Sequence, residues 1–105
     1  MGTKVGGKSE GAPKVLQPSG DLVASTIEGF KKEVRSVLRN SPRTLALDLT
    51  HVRMVDSVGL GVLITAHNAL SKKGVKLSVI NVSKEILDLF TAMRLDRHFD
   101  IEKAT

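Results

Sequence analysis

The tightest constraint on this chain is a change of hydrophobic period within Leu45-Ala-Leu-Asp-Leu-Thr-His-Val-Arg-Met-Val-Asp-Ser-Val-Gly-Leu-Gly-Val-Leu-Ile64. Leu45, Leu47 and Leu49 alternate with Ala46 and Asp48, which is the two-residue period of a strand. Val58, Val62, Leu63 and Ala66 then recur at three- and four-residue steps as far as Leu70, which is the period of a helix. Asp56-Ser57 stand where the period changes, and both residue types are good helix N-caps. The pattern predicts a buried strand over Thr44 to Leu49, a short loop, and a helix from about Ser57 to Lys73. Helix N-termini carry unpaired N–H groups and a partial positive charge, and they favour phosphate. Ser57 is therefore the first candidate for function.

The remaining segments repeat the alternation of strand and helix. Lys14-Val-Leu-Gln17 reads as a short strand ended by the turn cluster Pro18-Ser-Gly20. Asp21 is placed to open a helix whose core stripe is Ile27, Phe30, Val34, Val37 and Leu38, stopped by Asn40-Ser-Pro42. Lys72-Lys-Gly74 closes the helix that follows Ser57. Val75 to Asn81 alternates again and predicts a strand, with its end buried on both faces. Ser83 caps a third helix with Ile86, Leu89, Phe90 and Met93 inward, and Phe99-Asp-Ile101 completes a last short strand. The order β-α-β-α-β-α-β implies a largely parallel sheet with helices packed on it.

Gly59 and Gly61 lie in the first turns of the predicted second helix, where a glycine costs roughly 1 kcal/mol relative to alanine. Two explanations stand: the helix packs tightly on its own sheet, or a partner's backbone approaches this end. By the helical period the two glycines point about 200° apart, so each explanation can hold for one of them.

Composition narrows the function classes. The chain has 105 residues, enough for one modest core, and neither cysteine nor an apolar run that could span a bilayer. No apolar signal segment stands at its start, so a cytoplasmic location away from membranes is the expectation. Three phenylalanines with neither tryptophan nor tyrosine argue against an aromatic platform for nucleic acid. The net charge of +5 could favour an acidic protein partner or nucleic acid, but lysines and arginines scattered on solvated faces explain it and no basic motif accompanies it, so no direct nucleic-acid contact is expected. His51, His67 and His98 show no metal-ligand spacing, and Ser57 is not in a G-x-S-x-G elbow. No catalytic residue, metal or cofactor is therefore expected. Residues 1–13 hold four of the nine glycines together with Lys4 and Lys8, and read as a flexible arm before a domain over 14–105. Gly2-Thr-Lys-Val-Gly-Gly-Lys-Ser9 spells a phosphate-loop pattern, but no strand precedes it and no helix is predicted after it.

Asp56-Ser-Val-Gly-Leu-Gly-Val62, placed after Leu45-Ala-Leu-Asp-Leu-Thr-His-Val52, closely resembles the signature of the STAS domain. This is the fold shared by bacterial anti-sigma factor antagonists and the C-terminal tails of sulfate transporters. Gly20-Asp-Leu22 followed by Glu28 looks like the way the family enters its first helix, and Lys76-Leu-Ser-Val-Ile80 followed by Ile86, Leu89, Phe90 and Leu95 matches its later core pattern. The resemblance covers residues 14–102. It implies an α/β single domain with a mostly parallel, four- to five-stranded sheet and three to four helices packed on it.

It also implies a partner switch. The unphosphorylated protein would bind an anti-sigma factor that is also a serine kinase, phosphorylation of Ser57 would release it, and a PP2C-type phosphatase would reset it. Asp21, Asp56, Ser57, Val58, Gly59, Leu60 and Gly61 would form the binding face. The related alternative is a STAS subunit bound to a transporter ATPase or signalling scaffold without phosphorylation, and a more distant one is nucleotide binding by the Gly2–Ser9 arm. Three features depart from the family: Val58 where a second serine is common, the glycine-lysine arm in place of a first strand, and the positive net charge. From the spacing alone, Asp56-Ser57 reads first as a plain helix cap, and it is the resemblance that turns the reading toward a phosphoacceptor or partner contact.

Overall fold

In a computed structural model of the chain, residues 12–40 and 42–104 are described. The strands are β1 (Lys14–Leu16), β2 (Thr44–Asp48), β3 (Lys76–Val82) and β4 (Asp100–Lys103). The helices are α1 (Ile27–Asn40), α2 (Ser57–Lys72) and α3 (Lys84–Ala92), with a 3-10 turn at Leu95–Arg97. The strands form one parallel sheet in the order β1-β2-β3-β4, with Leu16, Leu47, Val79 and Ile101 in one row across it. The expected α/β sheet with packed helices is thus observed, with four strands among the described residues. The Gly2–Ser9 motif, and any pairing by most of the arm, lie outside those residues.

Consecutive strands step across the sheet in one direction, so right-handed crossovers bring all three helices to the same face. The burial pattern follows this rule. Leu45, Leu47, Leu77 and Val79 on the covered face are buried, whereas Thr44, Ala46, Ser78 and Ile80 on the other are half-buried and Val15 is exposed. The core between sheet and helices centres on Leu63, Leu70, Val79, Val82 and Phe90, and no polar side chain is buried among the described residues. Among the described residues the strand order never reverses, so these four strands form no switch-point crevice of the kind that holds nucleotides in doubly wound folds.

Several expected details change. Helix α1 begins at Ile27 rather than near Asp21. Residues 24–26 form a turn instead, in which Thr26 Oγ1 donates to the Asp21 carbonyl (2.6 Å). The end of β3 is not buried on both faces: Ile80 is half-buried and Asn81 is exposed in a left-handed conformation (φ 57°), where the pairing with β4 shifts register. Met93 is exposed, because α3 ends at Ala92 and Arg94 (φ 61°) turns the chain away. Gly74 does close α2. Its positive φ of 75° lets Val75 N–H reach the Leu70 carbonyl and Gly74 N–H the Ser71 carbonyl, a Schellman pair.

Candidate functional site

Ser57 is the first residue of α2, at the end of the sheet where the parallel strands finish. The N-cap is Asp56, whose Oδ1 accepts the Gly59 N–H at 2.9 Å. The capping role therefore falls on Asp56 alone. Ser57 is exposed, and its hydroxyl makes no hydrogen bond among the described residues. The helix does not need that oxygen.

Two loops hold this helix start in place. Asp56 Oδ2 accepts the Ala24 N–H (3.0 Å), and Asp56 N–H reaches the Leu22 carbonyl (3.3 Å). Leu22 N–H donates to the Met54 carbonyl (3.0 Å), and Leu22 and Val55 form an isolated parallel bridge. Asp21 does not cap a helix. Its Oδ1 accepts N–H groups from Arg53 (2.8 Å) and Met54 (3.2 Å), pinning the loop after β2 to the loop after β1. Hydrogen bonds from Gly59 and then Ala24 hold the Asp56 carboxyl below the usual carboxylate range. A negative charge is therefore fixed beside the Ser57 hydroxyl at neutral pH.

Gly59 shows why this joint is close. A Cβ there would lie 2.1 Å from the Leu22 carbonyl oxygen, so another side chain would part the two loops. Gly61 is the opposite case, exposed and with nothing within 4 Å of where its Cβ would stand. Of the seven residues expected at a binding face, Ser57, Val58 and Gly61 are exposed. Gly59 and Leu60 are buried against the domain, and the half-buried Asp21 and Asp56 act on backbone N–H groups.

The exposed three border a groove of about 520 Å³ between α1 and α2. Val58, Val62 and Ala66 form one wall and Val34 and Leu38 the other, with Lys31 and Arg35 at the rim. Met54, 59% exposed, and Val58, 41% exposed, leave an apolar surface next to a free hydroxyl. Sequence reasoning passed over Met54 and the contribution of α1. The available signal was Met54, a large apolar residue in the loop after β2, whereas nothing local marks Lys31 and Arg35. The structure also brings together His67 and His98, 31 residues apart in the chain, with ring centroids 5.8 Å apart beside Phe99. No group of side chains among the described residues could hold a metal ion.

Comparison with known proteins was consistent with this geometry. The family model of the STAS domain matches residues 8–105. Among solved structures, a Thermotoga maritima protein described as a candidate anti-sigma factor antagonist superposes with a TM-score of 0.78 at 24% identity, covering 85% of this chain and 77% of that one. At that identity the likeness speaks for the fold. No curated protein matches closely enough to add to it.

Proposed function

The chain belongs to the STAS domain family, and from that premise we propose that it is an anti-sigma factor antagonist switched by phosphorylation of Ser57. The observation that carries the proposal is the exposed Ser57 hydroxyl, unused by the helix cap, on a rigid helix start beside exposed Met54 and Val58. In the unphosphorylated state this surface docks an anti-sigma factor that is also a serine kinase, in the cytoplasm, and a sigma factor is freed. The kinase transfers the γ-phosphoryl group of ATP to Ser57 Oγ, the hydroxyl proton is lost and ADP leaves. A PP2C-type phosphatase returns the serine by hydrolysis. The protein itself is the substrate and binding module in this cycle and not an enzyme.

The physical basis of release is local. A phosphate brings about −1.5 to −2 charges next to the ionised Asp56. The α2 N-terminus stabilises it by a fraction of a kcal/mol to about 2, so the fold persists. A partner packed on the same spot would have to desolvate an unpaired dianion at a cost of several kcal/mol, which is about a hundredfold or more in affinity. The exposed hydroxyl and the tied loops support a switch that needs no refolding.

The test is intact-mass measurement after incubation with ATP and each serine-kinase anti-sigma factor encoded by the source genome. One added phosphate on the wild type and none on Ser57→Ala is expected. Binding without phosphate transfer by any kinase would instead favour a STAS scaffold of the transporter-ATPase kind.

A further inference from the structure

We propose that the groove between α1 and α2 receives an amphipathic helix of the anti-sigma factor, with acidic side chains that meet Lys31 and Arg35. The inference rests on the partner-switching reading and adds to it the place and the chemistry of the contact. Two independent observations support it.

The first is charge. The groove has apolar walls, and among the described residues its only charged lining side chains are Lys31 and Arg35, with no carboxylate. Among the described residues, Lys31 is held only by an exposed contact to Glu28 at 3.2 Å and Arg35 makes no ion pair. An exposed pair of that kind is weak and readily exchanged for a better-oriented carboxylate. A second copy of this chain would bring the same +5 charge and the same cationic rim, so it is a poor occupant.

The second is the shape of α2. Ser57, Gly61, Thr65 and Ala69 recur every four residues and all line the groove. Such a ridge of small side chains lets another helix approach closely. Gly59 has an internal reason to be glycine, the Leu22 carbonyl, but Gly61 has none, since its surroundings are open. Glycine weakens a helix, and here the molecule itself returns nothing for that loss. A backbone arriving from outside supplies the missing reason. Because Ser57 begins the same ridge, a phosphate on it stands at the mouth of the groove, in the path of the arriving helix and repelling its carboxylates.

The test measures affinity by calorimetry at about 50 and about 300 mM salt, between which surface charge pairs weaken. The partners are the serine-kinase anti-sigma factors of the source genome. Variants are Gly61→Leu, the pair Lys31→Glu/Arg35→Glu, and the control pair Lys32→Glu/Arg39→Glu, which changes net charge equally outside the groove. Gly61→Leu should fold, since its site is open, and circular dichroism checks that. The inference predicts at least a tenfold loss of affinity for Gly61→Leu and for the rim pair, loss of salt dependence for the rim pair, and little change for the control. Full affinity for both groove variants, alongside normal phosphorylation of Ser57, overturns the groove and leaves the switch standing. Equal losses for rim and control pairs overturn the rim contact in favour of general electrostatic attraction. Absence of binding by every anti-sigma factor overturns both readings.

Discussion

At the scale of single residues, the two glycines at the start of α2 make opposite predictions. Gly59→Ala places a methyl group where the Leu22 carbonyl stands, and overpacking of this kind costs about 1–3 kcal/mol. Gly61→Ala meets nothing within 4 Å and removes a poor helix former, for a gain of about 0.5–1 kcal/mol. Urea denaturation of the two variants checks both signs. Equal effects would mean that the two sites do not differ as described. Asp56→Ala removes the cap of α2 and the tie to Ala24, with an expected loss of about 1–2 kcal/mol. Ser57→Ala should leave stability within about 0.5 kcal/mol of wild type, because the hydroxyl is exposed and unbonded among the described residues. A large loss in Ser57→Ala would return the capping role to Ser57. The sequence pattern placed this pair at the helix start but left open which of them capped it. Only the paired N–H groups of Gly59 and Ala24 decide that, and Ala24 is 32 residues from Asp56.

Among the secondary-structure elements, the ends of the parallel strands are tied by one carboxylate. Asp48, the last residue of β2, accepts hydrogen bonds from Thr50 N–H (3.0 Å) and the Thr50 hydroxyl, from Asn81 Nδ2 (3.0 Å) and from Gln17 Nε2 (3.1 Å). The Thr50 hydroxyl is the main cause, and the set holds the Asp48 carboxyl down at about 2 against an ordinary 3.8. Since the folded value is the lower one, the stabilisation is present above pH 3.8 and is lost as the pH falls through about 2. At this solvent-exposed site, screening limits it to about 1 kcal/mol. The stability difference between wild type and Asp48→Asn, followed by chemical denaturation, should be constant near neutrality and shrink between those pH values. A difference independent of pH would assign the effect to packing. Elements with a strong period were legible: α2, α3, β2 and β3 match their expected spans to within a residue or so. The start of α1 was not, because Asp21-Leu22 has the local form of a cap while the Asp21 carboxylate is committed to Arg53 and Met54. A local pattern does not show a partner so distant in the chain.

For the whole molecule, the one-directional strand order explains where function can lie. With the three helices of the described residues on one face and no crevice between oppositely wound halves among them, this part of the chain offers surfaces and shallow grooves more readily than an enclosed site. The alternation of periods made this architecture legible, and the Asp56–Val62 resemblance pointed to the family. The groove was hidden, because α1 and α2 read separately give two amphipathic helices and only their packing sets Lys31 and Arg35 beside the small ridge of α2. In the proposed switch, one phosphate added at Ser57, with its charge of about −1.5 to −2, releases the partner without changing the fold. The most direct test of that switch is the Kd of one anti-sigma factor for the unphosphorylated protein and for protein carrying phosphoserine at position 57, with heteronuclear NMR spectra of both forms. Binding at least about a hundredfold weaker on phosphorylation is expected, with resonance shifts confined to residues around α2's first turns and its tied loops. Equal affinity of the two forms, or shifts spread through the core, would contradict the switch.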